Sequence, residues 1–426
     1  MDRTYLCIDM KTFYASVECA ERGLDPFETP LVVADVTRGK NALCLAVSPR
    51  MKALGIRNRC RLSDIPNGLE YIIADPRMQK YIDYAADIYA LYLNWFDAAD
   101  MHVYSIDESF IDATEYLTMY RTDGPRLAQR LMHEIAQKLH IPSTAGVGTN
   151  LYLAKIALDI TAKHAPDHLG YLNEEIYREV LWDHRPLTDF WQIARGTAAR
   201  LEHRGIITQH MIAQAPEELL YKIFGVNAEL LIDHAWGRES CRMEDIKQYR
   251  SRSKSVSFSQ ILPRKYTFAE AETVIREMAE QGCRELIKRH AVADKISVGV
   301  GYADEAYAPT HAGVKLNART ARSSQLVPAA VRAYRAAAMP DRLVRRLGVC
   351  FPDIADENLA AYDLFTDIEA AERETRGERA ALAVTERFGK NALIRGTSLK
   401  QEATARERNT LIGGHRAGYD DTQRKG

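Results

Sequence analysis

The stretch VYSIDESFID, Val103 to Asp112, sets acids inside an apolar run. Tyr104, Ile106, Phe110 and Ile111 supply the β-branched and aromatic content of a buried strand or tight hairpin. Asp107 and Glu108 are adjacent, and Asp112 follows. From Asp97 to Glu115 there are six acidic residues and no Lys or Arg. Carboxylates in such a run are costly unless a cation meets them. Neighbouring strand residues point to opposite faces, so Asp107 and Glu108 share one site only at a turn or strand end. A divalent metal at such a turn would resolve both problems. A solvated hairpin tip would explain the charges but not their apolar setting.

Working outward, the N-terminus offers a partner carboxylate. Thr4 to Asp9 reads TYLCID, a short hydrophobic strand ending in Asp9 and followed by Met10-Lys-Thr-Phe13-Tyr14. An Asp ending a first strand is by itself a common helix N-cap. Two strands that each end in carboxylates, lying side by side, can hold two Mg²⁺ ions, which take oxygen ligands and often only one or two carboxylates plus substrate phosphates. Such a pair clamps the attacking and leaving oxygens of phosphoryl transfer.

Taken together, IDMKTFYASVE (Ile8 to Glu18) and YSIDESFID (Tyr104 to Asp112) resemble the Y-family (translesion) DNA polymerases, and most of all the UmuC/DinB-like members of Gram-positive bacteria. The resemblance implies an α+β, multidomain right hand with palm, small fingers, helical thumb and a C-terminal little finger. It implies Asp9, Asp107 and Glu108 as metal-binding carboxylates with the carbonyl of Met10 as a further ligand, and two Mg²⁺ ions. The primer 3′-hydroxyl would attack the α-phosphate of a dNTP and release pyrophosphate. Phe13 and Tyr14 fall at the nucleotide sugar, with Tyr14 as the steric gate against a ribose 2′-OH. Lys52 and Lys163 fall on the triphosphate, although this chain is one residue longer between Lys155 and Lys163 than the family pattern.

Composition agrees with several domains, since single cores stop growing near roughly 250–300 residues and this chain has 426, of which 46% are hydrophobic. No run of about 18 apolar residues suggests a membrane helix, and the start MDRTYLCID lacks a signal-peptide pattern, so a cytoplasmic protein is expected. Seven dispersed cysteines without a CxxC pair read as free thiols. The formal net charge of −1 hides segregation: between Lys315 and Arg346 lie eight Lys or Arg and one acid, Asp341. An acidic metal site in one domain and a phosphate-binding surface in another would produce that pattern.

Along the chain the expected division is palm 1–14 and 76–168, fingers 15–75, thumb 169–240, linker 241–253, little finger 254–355 and tail 356–426. The aromatic stripe of the helix from Pro76 to Phe96 (Tyr81, Tyr84, Tyr89, Tyr92, Trp95) reads as packing. In the thumb, the segments around Gly196 and Gly225 resemble paired helix–hairpin–helix motifs, which offer backbone N–H groups to a DNA phosphate. In the little finger, Lys295, Lys315, Arg319 and Arg322 would track phosphates with little sequence preference. Tyr362, Leu364 and Phe365 sit where relatives carry a sliding-clamp motif, without its leading Gln. Residues 389–414 read as a basic, mobile tail.

The resulting expectation is a template-directed DNA polymerase for translesion synthesis in the SOS response to DNA damage, of low fidelity and without proofreading. Its partners would be primer–template DNA and dNTP, with a sliding clamp, a recombinase filament or an accessory subunit as candidates, and no membrane. A palm-fold nucleotide cyclase would share the metal chemistry but needs no helix–hairpin–helix stretch. A non-catalytic DNA-binding protein needs no set of three carboxylates.

Overall fold

β1 (Tyr5–Met10) is central because YLCIDM carries apolar residues on both faces, and every residue but Asp9 is buried. After it the chain turns through Thr12, in the left-handed region at φ 47°, into α1 (Phe13–Ala20). The computed structural model describes residues 3–250, 254–362 and 366–418. These form two compact units, one up to Arg250 plus the segment from His415, the other up to Gly414.

In the first unit, β2 (Leu31–Ala34), β3 (Cys44–Val47) and β4 (Ile72–Ala74) make a three-stranded sheet in the order β3-β2-β4. α2 (Pro49–Ala53) packs on it, with Met51 in the small core. The Ser48 hydroxyl caps α2 by accepting the Met51 N–H at 3.2 Å. These are the fingers. α3 (Met78–Leu93) buries Tyr81, Ile88 and Tyr92 from its aromatic stripe. β5 (Met101–Val103) and β6 (Glu108–Asp112) form a hairpin, followed by α4 (Thr114–Tyr120), α5 (Gly124–Leu139) and β7 (Ser143–Gly148).

The palm sheet runs β5-β6-β1-β7-β8, with β8 (Leu169–Leu172) parallel to β7. That strand begins just past the boundary expected at 168, and Gly170 lets β8 press against the helix, where a Cβ would lie 2.1 Å from the Thr161 hydroxyl oxygen. α6 (Leu151–Ile156) comes as close to β7, and a Cβ on Gly146 would meet the Ala154 carbonyl oxygen at 2.1 Å. Ala157–Thr161 is then a π-helical turn before α7 (Ala162–His164). A π-bulge takes one extra residue into a continuing helix, and this one falls between Lys155 and Lys163, where the chain is expected to be one residue longer than the family pattern.

The thumb follows as α8 (Glu174–Val180), α9 (Arg195–Glu202), α10 (Gln209–Gln214), α11 (Glu217–Phe224) and α12 (Asn227–Ala235). They pack around Tyr177, Phe190, Leu201, Leu220 and Leu231. α13 (Met243–Gln248) lies within the stretch expected as linker: Met243 is 2% exposed and packs with Tyr5, Cys7 and Phe110, with Ile246 beside it. Two apolar residues three apart suffice to seat a short helix. At the far end of the chain, Arg416 Nε lies 3.4 Å from Asp35 Oδ1, and the Ala417 carbonyl accepts the Gln79 N–H at 2.9 Å.

In the second unit β9 (Val256–Tyr266), β10 (Ala291–Tyr302), β11 (Thr310–Thr320) and β12 (Val344–Phe351) form an antiparallel sheet in the order β11-β10-β12-β9. α14 (Phe268–Lys288) and α15 (Ser323–Ala337) supply the rest of its core. This is the little finger. Of the tail, residues 368–388 form a helix and residues 389–414, read as mobile from the sequence, pack on the same unit. α16 (Ile368–Phe388) and α17 (Ala405–Arg408) belong to the same unit. Polar contacts anchor what lacks apolar residues: Glu277, 4% exposed, accepts the backbone N–H groups of Thr404 at 2.8 Å and Ala405 at 3.0 Å. All seven cysteines are free, and among the described residues no helix is long and apolar enough to cross a membrane.

Candidate active site

The β1–β6 register sets Asp9 opposite Glu108, and the Met10 N–H donates to the Asp107 carbonyl at 2.9 Å. Asp107 lies in the hairpin turn and Glu108 opens β6, so the adjacent acids meet at a strand end. The Ser105 hydroxyl donates to Asp107 Oδ1 at 2.6 Å. Burial, then the charges of Asp107 and Glu108, push the Asp9 carboxyl up to about 7. Asp107 and Glu108 thus lie within electrostatic reach of Asp9.

Glu108 already has a cation. Lys155 Nζ lies 2.8 Å from Oε1 and 2.9 Å from Oε2, and the Cys7 thiol donates to Oε1 at 3.2 Å. Lys155 also meets Asp159 at 3.1 Å. This ion pair escaped sequence reasoning, although a lysine inside LYLAKIAL is as anomalous as acids inside VYSIDESFID. Among the described residues no cluster of three His, Cys, Asp or Glu is assembled into a metal cage. Asp9, Asp107 and the Met10 carbonyl are nonetheless hard oxygen donors, and the raised affinity of Asp9 for a proton marks a place that favours a cation. That donor set fits Mg²⁺, which needs no all-protein cage.

The two aromatics separate. Phe13, expected at the nucleotide sugar, is 2% exposed with its ring turned into the core; successive helix residues diverge by about 100°. Tyr14 is half-buried and stacks on Tyr81, with centroids 4.5 Å apart and planes 18° apart. The Tyr81 hydroxyl donates to the buried Glu18 at 2.8 Å, and Arg77 Nη2 sits 2.8 Å from the same carboxylate. Burial and the Asp107 charge raise the Tyr14 phenol, which places the ring within electrostatic reach of the acids.

Lys52 projects from α2 and Lys163 from α7. Lys52 titrates low because of desolvation and the charge of Lys163, with Asp9 opposing. The structure thus brings both lysines and Asp9 into one electrostatic neighbourhood, with Lys163 itself well exposed and 3.9 Å from Asp159.

Gly196 lies exposed in the first turn of α9, with open space where a Cβ would point, and Gly225, at φ 59°, ends α11 two residues before α12. Arg200 joins the two segments by donating to the Ile223 carbonyl at 3.4 Å and covering the Phe224 ring. In the second unit the sheet face away from α14 and α15 carries Ser257, Ser259, Ser297, Gly299, Gly313 and Gly348, a shallow floor. Lys315 is exposed there opposite Lys295, which pairs with Asp353 at 2.6 Å. Arg319 and Arg322 lie with the tail instead: the Arg319 carbonyl accepts the Ala361 N–H at 3.1 Å, and Arg322 is 5.8 Å from the centre of the Tyr362 ring. Tyr362 is exposed; Leu364 and Phe365 lie outside the described residues.

Comparison with known proteins agrees with this geometry. Residues 8–159 match the model of the impB/mucB/samB family and residues 253–364 that of its C-terminal domain. The chain is 30% identical to the UV-damage repair protein UvrX of Bacillus subtilis (strain 168), over 97% of this chain and 98% of that one. It is also 30% identical to DNA polymerase IV 2 of the same strain, over 97% and 99%. DNA polymerase IV 2 of Halalkalibacterium halodurans is 26% identical over 97% and 100%. Among solved structures, a Dbh–Dpo4 Y-family DNA polymerase chimera shares the fold at a TM-score of 0.64 and 22% identity, covering 83% of this chain and 99% of that one. The chain belongs to the impB/mucB/samB family and is a Y-family, DNA-directed DNA polymerase of the translesion type.

Proposed function

We propose that this polymerase extends a primer by nucleotidyl transfer at Asp9, Asp107 and Glu108, with low fidelity and no proofreading. The observation that carries the reading is the β1–β6 register, which sets Asp9 opposite Glu108 with Asp107 bonded to the Met10 backbone at the same strand end. Asp9, Asp107, Glu108 and the Met10 carbonyl would hold Mg²⁺. Two such ions would activate the primer 3′-hydroxyl and stabilise charge on the transferring phosphoryl group.

The remaining work falls to the chain's own side chains. Lys52 and Lys163 neutralise the triphosphate and orient it. The Tyr14 ring, backed by Tyr81, fills the space a ribose 2′-OH would need. Gly196 and Gly225 leave helix-end N–H groups open to DNA phosphates. The floor of small residues beside Lys315 and Lys295 admits a DNA backbone. The fingers are only a three-stranded sheet with one short helix, so the roof over the nascent base pair is slight, which favours damaged templates over accurate copying.

This assigns the protein to cytoplasmic DNA repair in the SOS response, with primer–template and dNTP as its binding partners. A clamp contact through Tyr362 and its neighbours, and a recombinase filament or accessory subunit, complete the reading. The deciding experiment is primer extension with purified protein, Mg²⁺ and dNTPs beside an Asp107→Ala/Glu108→Ala control. Extension by the intact protein and none by the control supports it. Extension that survives in the control removes the site.

A further inference from the structure

Lys11 stands in the turn between β1 and α1, two residues past Asp9. Its N–H donates to the Pro142 carbonyl at 2.8 Å and its own carbonyl accepts the Ser16 hydroxyl at 2.6 Å, so the backbone is fixed. The ammonium reaches Nδ1 of His168 at 2.9 Å and lies 5.9 Å from the centre of the Phe27 ring. Phe27 and His168 are parallel, with centroids 6.3 Å apart. An ammonium has only donors, so Nδ1 accepts and the imidazole carries its proton on Nε2. Neither neighbour is an anion.

Lys11 is half-buried, and among the described residues no carboxylate forms an ion pair with it or with Lys52. It is repelled by Lys52 and attracted by Asp9, while Lys52 is repelled by Lys163. Lys11, in the β1–α1 turn, directly follows Asp9 and Met10, two of the proposed metal-binding positions, while Lys52 stands on α2 and Lys163 on α7. Holding Lys11 and Lys52 partly buried with no carboxylate partner is unfavourable until an anion arrives, while Lys163 stands exposed beside Asp159. A neutral imidazole and an aromatic ring hold the Lys11 ammonium in place without neutralising it, leaving two of its three protons for that anion.

We propose that Lys11 is a third cation for the triphosphate of the incoming nucleotide, held ready by His168 and Phe27. The inference rests on the site reading above and adds to it a residue that binds nucleotide rather than DNA. The test is single-nucleotide insertion by the full chain with Mg²⁺, comparing Lys11→Met, Lys11→Arg, His168→Ala, Lys52→Met and Lys163→Met. Primer–template affinity by anisotropy and melting temperature are measured on the same preparations.

A charge-assisted hydrogen bond corresponds to about 10–100-fold in affinity. Lys11→Met is therefore expected to raise KM for dNTP by about that factor, with kcat little changed and DNA affinity intact. Lys11→Arg should recover most of the loss and His168→Ala should fall between. Inhibition by inorganic pyrophosphate should weaken in parallel, since that product carries the same phosphates. If Lys52→Met and Lys163→Met raise KM but Lys11→Met does not, the inference fails and the site stands. A Lys11→Met protein that loses DNA affinity or stability in step with KM assigns Lys11 a structural role and also overturns it. If none of the three lysines moves KM, the site reading fails with it.

Discussion

The ammonium of Lys155 lies 2.8 Å from Oε1 of Glu108, with both side chains about nine-tenths buried. The carboxylate that the sequence leaves uncompensated inside a strand thus finds its cation on the neighbouring helix. Burial alone would lower the affinity of Lys155 for its proton, yet the negative charges of its surroundings hold it above the usual lysine range. Removing one partner of such a pair strands the other, at a cost of about 3–5 kcal/mol. Lys155→Met is expected to lower the melting temperature markedly and to abolish extension, because the buried Glu108 carboxylate is then left without its cation. The double variant Lys155→Met/Glu108→Gln should regain melting temperature but not activity. A double variant no more stable than Lys155→Met would remove the pair from the account.

Asp9 leads to a second expectation, with the opposite sign for stability. Its carboxyl is raised from the usual range to about 7, by burial first and by Asp107 and Glu108 next. A raised acid binds its proton more tightly when folded. Its contribution is complete below the unfolded pKa and is lost as pH climbs through 7. Metal-free Asp9→Asn should therefore melt higher than the natural protein at pH 8, by roughly 2–4 °C for about 1 kcal/mol relieved in a domain of this size. Mg²⁺ should raise the melting temperature of the natural protein but not of the variant. Equal metal-free melting at pH 8 would count against carboxylate crowding.

The stack of Tyr14 on Tyr81 bears on the sugar selection proposed for the Tyr14 ring. Tyr14→Ala opens the space beneath the sugar and is expected to raise ribonucleotide insertion relative to deoxyribonucleotide by about 10–100-fold, the range a shape mismatch in a pocket commands. Tyr81→Leu leaves the Tyr14 ring present but without its backing, so its effect should be in the same direction and smaller. Competing dNTP and rNTP insertion measures both. Unchanged discrimination in Tyr14→Ala would exclude the ring from the sugar pocket.

The sequence made the site legible where a residue contradicts its surroundings. Asp107 and Glu108 stand out in an apolar run, and the period-2 rule puts them at a strand end, where the structure has them. Lys155 contradicts its surroundings equally, but its pairing spans 47 residues of chain and no local pattern reveals it. Lys11 gives no signal at all, because a lysine in a turn looks solvated until Phe27 and His168 fold beside it. The π-turn at Ala157–Thr161 was visible only as one residue too many. Phe13 and Tyr14 cannot be told apart by composition; the first helical turn sends one inward and leaves the other half-buried against Tyr81.

The tail shows why polar anchoring defeats periodicity, and it yields the last expectation. Residues 389–414 present few apolar side chains, so no amphipathic stripe announces a packed segment. The anchor lies on α14 instead. Glu277 turns one carboxylate oxygen to the N–H groups of Thr404 and Ala405 at the start of α17, and the Thr404 hydroxyl approaches the same oxygen at 3.3 Å. Arg408 Nη1 donates to Gln260 on β9 at 2.7 Å, and Arg395 lies 3.5 Å from Glu280. Hydrogen bonds to a charged group contribute about 1.5–3 kcal/mol each, and losing a buried acceptor strands the donors it served. Glu277→Leu should therefore free the segment without unfolding the sheet, whose core lies among Val274, Met278 and Phe351. Limited trypsinolysis at Arg395 and Lys400 should accelerate in Glu277→Leu, while hydrogen exchange across β10 and β12 stays slow. Cleavage at the natural rate would show that the tail is held by contacts other than Glu277.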